Sequence, residues 1–179
     1  MIVEHYWDII IHSTLGLATG FVLLILAYIL IFGKVPSLRM VNIMLLCKYL
    51  VLVLIITIFS RETGEGIELN IFASIMRARG TSSPTLAANE IRGIWFNVLM
   101  FLPMGYFLPT ISLRLQKLYH AVIAGFLASL AIESAQLIWQ LGVFSLEDIL
   151  LNTIGASIGH TIFGIKKIFT FLKKGLDKR

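Results

Sequence analysis

Long apolar stretches, each close to the length of a bilayer crossing, dominate this sequence. A helix rises about 1.5 Å per residue, so roughly 20 apolar residues cover the hydrocarbon core of a membrane. Five stretches of this kind follow one another: Ile9–Phe32, Val41–Phe59, Gly93–Leu113, Leu118–Leu141 and Leu146–Ile165. With 58% hydrophobic and 14% charged residues, the composition does not fit a soluble domain. The sequence predicts one all-α domain over residues 1–179, a polytopic transmembrane helix bundle of about five spans.

The fifth stretch is the least apolar of the set. Glu147, Asp148 and Asn152 lie in its first turns. A re-entrant helix, buried in protein, is therefore the alternative to a full crossing there.

The basic residues predict an orientation in the membrane. Lys34 and Arg39 follow the first stretch, Arg114 and Lys117 follow the third, and six more bases lie in residues 166–179, all on one side of the bundle. The positive-inside rule then places the amino terminus outside the cell membrane and makes 166–179 a basic cytoplasmic tail. The tail is predicted either to be an amphipathic helix on the inner leaflet or to be a solvated run of charges.

The net charge of +5 is concentrated at these membrane edges. Anionic lipid is therefore the expected partner, and nucleic acid is not.

Residues 60–92 lie on the opposite side of the predicted bundle and form an outer loop, which is too short for a core of its own. Within it, Leu69, Phe72, Ala73 and Met76 recur at helical spacing. This pattern predicts a short interfacial helix, with a lid packed on the bundle as the alternative.

One acidic residue, Glu133, lies deep in the fourth apolar stretch. A charge at the centre of a membrane helix costs about 2.5–3.5 kcal/mol and is therefore a sign of function. Counted from the outer boundary, Asn97, Glu133 and Asn152 all fall about 6–11 Å below the surface, with Gln136 and Asp148 slightly higher. The sequence therefore predicts that three helices gather these side chains into a shallow polar cleft, open to the outer headgroups.

Small residues and a proline continue the same helices away from the polar side chains. Gly155 and Gly159 form a GxxxG spacing, and Gly105 lies on the third stretch, so close packing of helices is expected there. Pro103 removes a backbone hydrogen bond and predicts a kink. These four residues are given structural roles.

Metal and cofactor chemistry finds no support in the sequence. Cys47 is the single cysteine, and the histidines are scattered over different stretches: His5, His12, His120 and His160. Neither a metal site nor a cofactor is predicted.

Ten residues, taken in order along the chain, resemble the pattern of the VanZ-like family: Asn97, Phe101, Pro103, Gly105, Glu133, Gln136, Asp148, Asn152, Gly155 and Gly159. The resemblance covers about Asn70–Gly164. Where the family has an Asn-Leu-Ile-Pro-Phe-like segment, this chain has ELNIF, without the proline, and the resemblance adds Asn70 to the site. It implies a bacterial envelope protein that lowers susceptibility to teicoplanin, a glycopeptide antibiotic with a lipid chain.

Three kinds of function remain open from the sequence. The preferred one is a protein that binds an amphiphile, either a membrane lipid, a lipid-linked envelope precursor or a lipoglycopeptide, alone or as an oligomer. The predicted ligand-binding residues are Asn70, Arg92, Asn97, Glu133, Gln136, Asp148 and Asn152. The alternative is a membrane-embedded enzyme acting on a lipid-linked substrate, with Glu133 and Asp148 as acid/base residues. The third is a purely structural role, in which the polar side chains form hydrogen bonds between helices.

Overall fold

The computed structural model describes residue 16 and residues 19–59 and 66–176. Over these residues the chain is all-α, apart from two strands of two residues each. It divides into two compact units, Met1–Glu62 and Thr63–Arg179.

Within its described residues, the first unit contains two apolar helices, α1 (Thr19–Phe32) and α2 (Leu38–Phe59). Gly33 ends α1 with a positive φ of 62°, a conformation that glycine adopts without strain, and its amide donates to the Ile29 carbonyl at 2.8 Å. The hydroxyl of Ser37 accepts the Met40 amide at 3.3 Å and so caps the start of α2. The Lys48 ammonium lies 5.6 Å from the centre of the Phe21 ring. The first predicted stretch, Ile9–Phe32, lies partly outside the described residues.

The second unit is built from three long helices and a short one. The long helices are α4 (Pro84–Ile111), α5 (Leu118–Ile138) and α6 (Leu146–Leu176), and a 3-10 turn, Leu113–Leu115, joins the first two. Ahead of them come β1 (Ile67–Glu68) and the eight-residue α3 (Ala73–Gly80). β1 pairs in parallel with β2 (Phe144–Ser145), which immediately precedes α6.

Within the described residues, three helices are long and apolar enough to cross a membrane: Leu38–Thr57, Pro84–Ile111 and Leu118–Ile138. This finding supports a membrane protein with an all-α fold, and it does not confirm the five predicted spans or their orientation. α6 has 31 residues and carries acids in its first turn and bases in its last. Whether α6 crosses the membrane stays a prediction.

Two boundaries differ from those expected from hydropathy. α4 begins at Pro84 rather than at Gly93, because proline at the first helical position needs no amide partner and the following residues are good helix formers. The helix also continues through Pro103 and Pro109. At the other end, α6 runs on through residues 166–176, so the predicted basic tail is helical as far as Leu176.

α6 packs between α4 and α5 through small residues. Gly155 and Gly159 of α6 lie against the carbonyls of Val98 and Leu102 of α4, in an order that makes these two helices parallel. Gly105 of α4 in turn lies against the backbone of Ala156. On the other side of α6, a β-carbon added to Gly125 of α5 would lie 2.8 Å from that of Ala156. We call these contacts, made by Gly105, Gly125, Gly155, Ala156 and Gly159, the glycine seam.

α5 runs antiparallel to α6, so the start of α4, the end of α5 and the start of α6 lie at one end of the unit. There Glu133 bonds to Ser145, whereas Gln116 bonds to His160 at the opposite end. We call the first the polar end and the second the basic end, after Glu133 and Lys166 respectively.

α3 lies at the polar end and packs on α4. Ala73 and Ser74 are its buried residues, whereas Phe72 and Met76 are exposed. The short helix predicted in the outer loop is therefore present, and its packing on other helices matches the lid alternative. Its location at a membrane interface stays a prediction.

Candidate functional site

Buried polar side chains collect at the polar end, on all three long helices. Glu133 and Gln136 of α5 are each 1% exposed, and Asn152 of α6 is 2% exposed. Asn97 of α4 is also buried, and the carbonyl of its neighbour Val98 lies against Gly155, less than one turn beyond Asn152. We call these four residues the polar layer. Asn152 bonds to Ser129, which lies one turn before Glu133, so Glu133 and Gln136 lie about one and two helical turns nearer the end of the bundle than Asn152.

The carboxylate of Glu133 is fixed to the start of α6. Its Oε2 accepts the backbone amide of Ser145 at 2.8 Å. The hydroxyl of Ser145 in turn accepts the amide of Asp148 at 3.2 Å, which caps the helix. The amides at a helix start carry partial positive charge and stabilise a nearby carboxylate, so this position offsets part of the cost of burying Glu133.

Asn152 joins α6 to α5. Its Nδ2 donates to the hydroxyl of Ser129 at 2.8 Å, and Ser129 is fully buried. The other polar atom of this side chain, Oδ1, is buried and has no hydrogen-bond partner among the described residues. A buried acceptor without a donor costs about 1–3 kcal/mol. A donor from another molecule that bonds to Oδ1 of Asn152 would therefore offset this cost.

The segment formed by β1 and α3, residues 66–80, is tied to the start of α6. Both the amide and the hydroxyl of Ser74 donate to Oε2 of Glu147, at 2.9 and 2.8 Å, and Glu147 is buried. The Phe144 amide donates to the Gly66 carbonyl at 3.0 Å, beside the two paired strands. Arg77 donates to the Ser74 hydroxyl at 3.1 Å and to Glu90 at 3.0 Å. We call residues 66–80 the β1–α3 segment.

The remaining predicted site residues occupy more accessible positions. Asp148 is half-buried in the first turn of α6. Asn70 is exposed, and its Oδ1 accepts the Phe72 amide at 3.0 Å, which shapes the turn into α3. Arg92 is exposed on α4 and donates to Asn89 at 2.6 Å. The structure thus brings Asn97, Glu133, Gln136 and Asn152 to the polar end, while Asn70 bonds within the β1–α3 segment and Arg92 bonds one turn back along α4. A ligand contact by any of the seven predicted residues stays a prediction.

Four residues of this end were not predicted as site residues: Ser74, Ser129, Ser145 and Glu147. The sequence contains a signal for two of them. Ser129 precedes Glu133 by one helical turn, and Ser145 starts a Ser-x-x-Asp pattern typical of a helix start. Ser74 and Glu147 are far apart in the chain, so their bond could not be read from local spacing.

Residues 19–59 and 66–176 contain no group of three or more His, Cys, Asp or Glu side chains able to hold a metal ion. His160 instead forms a hydrogen bond of 3.0 Å with the Gln116 carbonyl at the basic end. The buried layer therefore offers carboxylate, amide and hydroxyl groups, which recognise ligands by hydrogen bonds and charge.

A comparison with known protein families matches the VanZ/LLP1 family over residues 45–167. No curated protein and no solved structure matches the chain. The matched region contains α4, α5 and the first two thirds of α6, together with every predicted site residue. Because the match covers more than half of the sequence, the chain belongs to the VanZ/LLP1 family.

Proposed function

We propose that this membrane protein lowers susceptibility to lipoglycopeptide antibiotics by binding the polar headgroup of an envelope amphiphile at the polar end of α4, α5 and α6. The amphiphile is a membrane lipid, a lipid-linked envelope precursor or the antibiotic itself. The observation that carries the proposal is the buried Oδ1 of Asn152, an acceptor without a hydrogen-bond partner among the described residues, about one helical turn below the buried carboxylate of Glu133. A headgroup that brings a hydroxyl or an amine would supply the missing donor.

Exposed tryptophans lie at the same end of the bundle as the polar layer, which supports a position of this end near the lipid headgroups. Two tryptophans, Trp95 of α4 and Trp139 just after α5, are each 61% exposed at the same end of the bundle. Tryptophan is enriched where a membrane protein passes from acyl chains to headgroups. The exposed Arg92 lies on α4 on the side of Trp95 toward the helix start, where it would contact a phosphate.

Access to Asn152 requires movement, because its side chain is almost fully buried. The β1–α3 segment is the element suited to move. It contacts the start of α6 through two-residue strands and through the Ser74–Glu147 bonds, whereas α4, α5 and α6 are held by the glycine seam. We therefore place the entrance under the β1–α3 segment, with Glu133 and Gln136 orienting the headgroup.

The two competing functions make different demands on Glu133. As a general base it would need a free oxygen near a substrate, whereas one carboxylate oxygen accepts the Ser145 amide. As a purely structural group it would act only through bonds such as those that Glu133 and Asn152 make here. The proposal differs from both, because it requires a bound molecule and no turnover.

The test is to express the protein in a teicoplanin-susceptible Gram-positive host and to compare Glu133→Gln and Asn152→Ala with the unchanged chain. Glutamine keeps one oxygen that can accept the Ser145 amide, removes the charge and replaces the other oxygen with an NH2 group. We expect both variants to lose protection, seen as a several-fold lower inhibitory concentration of teicoplanin, at unchanged levels of folded protein in the membrane. Matched controls are Glu90→Gln and Asn42→Ala, which make the same chemical changes at residues that are not part of the layer and should keep full protection.

The outcomes separate the three functions. Full protection by both variants would refute the binding site. Loss of protection only together with loss of folded protein would show a structural role. Conversion of a purified lipid-linked substrate by the unchanged protein, absent in Glu133→Gln, would establish the enzyme.

A further inference from the structure

The last third of α6 extends past its partner helices. Among the described residues, the final hydrogen bonds that join α6 to the rest of the unit run from Lys166 to the Tyr106 hydroxyl of α4 at 2.7 Å and from Lys167 to Oε1 of Gln116, just before α5, at 2.8 Å. α6 continues to Leu176, so about 13 Å of helix follows these contacts. Its residues 165–174 are all exposed.

This extension has two chemically opposite faces. At about 100° per residue, the apolar side chains fall on one face and the lysines on the other. The apolar face consists of Ile165, Ile168, Phe169, Phe171, Leu172 and Leu176. The polar face consists of Lys166, Lys167, Thr170, Lys173 and Lys174. Phe169 is 68% exposed and Phe171 is 77% exposed, which in water would be unfavourable for such large apolar groups.

The apolar face is continuous with the surface that α6 presents beside α4 and α5. Ile154, Ile158 and Ile162 are exposed at intervals of one turn, and Ile165, Phe169 and Leu172 extend the same stripe. In a membrane protein an exposed apolar stripe of this kind meets acyl chains. Lipid is therefore the apolar phase that this stripe would contact beyond the end of the bundle, with the lysines opposite it toward the headgroups.

From this placement, we propose that residues 165–176 form a membrane-binding helix, which lies in the headgroup region at the basic end and binds anionic phospholipid. The charge of the polar face selects the lipid, because Lys166, Lys167, Lys173 and Lys174 lie within a Debye length of any headgroup beside the helix. A second copy of this chain would cover the apolar face less favourably than lipid does. Two helices joined along it would bring the lysine rows of both copies toward the edges of one interface, where like charges repel.

The experiment uses the full chain in lipid nanodiscs, with Cys47→Ser and one nitroxide-labelled cysteine at a time, Phe169→Cys or Thr170→Cys. These neighbouring positions lie on the apolar and the polar face respectively. The readout is the ratio of collisions with oxygen, which concentrates in acyl chains, to collisions with a water-soluble nickel complex. We expect this ratio to be several-fold higher at 169 than at 170, and to rise at 169 when phosphatidylglycerol is added to phosphatidylcholine.

Charge dependence is tested by removing two lysines from the polar face, Lys173→Gln together with Lys174→Gln. This pair should abolish the effect of phosphatidylglycerol at position 169. The matched control, Arg114→Gln with Lys117→Gln, removes two charges from the same end but not from α6, and should keep the effect.

Three results would overturn the proposal. Equal contact of both labels with the nickel complex would place the helix in water. Spin–spin broadening at 169 that disappears on dilution with unlabelled protein would identify a second copy as the occupant. An oxygen ratio at 169 that does not respond to phosphatidylglycerol would exclude selection of anionic lipid.

Discussion

The polar end and the glycine seam lie on the same three helices and join them in opposite ways. At the polar end, contacts are made by side chains: Glu133 with the Ser145 amide and Asn152 with Ser129. At the glycine seam, contacts are made by backbone, since Gly155 and Gly159 lie directly against carbonyls of α4. One turn of helix separates Asn152 from the nearest of these glycines.

This difference shows how one bundle can combine a fixed frame with an adaptable site. Backbone atoms in contact have no rotamers to change, so the seam fixes the spacing of the helices. Side chains at the polar end keep rotamers and can exchange one hydrogen-bond partner for another. The seam should therefore tolerate substitution least, and the polar end should tolerate it more.

The largest expected effect comes from adding a single methyl group to the seam. Gly105→Ala and Gly159→Ala would each place a β-carbon into the backbone of the neighbouring helix, at Ala156 and Leu102 respectively. Because backbone cannot move aside as a side chain can, we expect a cost at or above the usual 1–3 kcal/mol for overpacking. The measurement is the yield of monodisperse protein in detergent and its midpoint of thermal unfolding.

Two glycines on the same helices provide matched controls. Gly93 of α4 and Gly164 of α6 have no atom within 4 Å of an added β-carbon. Alanine there should leave stability unchanged or raise it by up to about 1 kcal/mol, because alanine favours helix. If Gly105→Ala were as stable as Gly93→Ala, the close approach of α4 and α6 would be refuted.

The parts of this arrangement that depend on local spacing could be predicted from the sequence. Helical period and depth predict that Asn97, Glu133, Gln136 and Asn152 lie toward the same end of the bundle, because antiparallel neighbours bring the ends of successive helices together. The start of α4 at Pro84 was missed because hydropathy detects the apolar part of a helix and not its polar first turns. The contacts of Glu147 with Ser74 and of β1 with β2 were missed because they join residues far apart in the sequence.

An intermediate effect is expected where the β1–α3 segment meets α6. Glu147→Ala removes the acceptor of both the amide and the hydroxyl of Ser74, and each buried donor left without a partner costs about 1–3 kcal/mol. This loss should free the segment rather than unfold the bundle. We expect hydrogen exchange of residues 73–76 to accelerate at least about tenfold, since 1.4 kcal/mol corresponds to a factor of ten. Exchange in α6 beside Gly155 should not change.

An exposed charge pair between the same segment and α4 gives the control. Arg77 and Glu90 are 3.0 Å apart, but the Arg77 side chain is 52% exposed, and such pairs contribute about 0–1 kcal/mol. Glu90→Ala should therefore accelerate the same exchange much less than Glu147→Ala does. Equal acceleration in both variants would mean that Glu147 does not hold the segment.

The smallest expected effect is the coupling between Asn152 and Ser129. Hydrogen bonds between membrane helices contribute about 0.6 kcal/mol on average and at most about 1.7 kcal/mol, because the separated helices find other partners. A double-mutant cycle of Asn152→Ala and Ser129→Ala, measured by unfolding in mixed micelles, should give a coupling energy in this range. A coupling larger than the cost of Gly105→Ala would reverse the comparison, since the polar end would then hold the helices more strongly than the seam. If the coupling is small, Asn152 can exchange its hydrogen bond with Ser129 for one with a headgroup at little loss of stability. The proposed binding site requires this property.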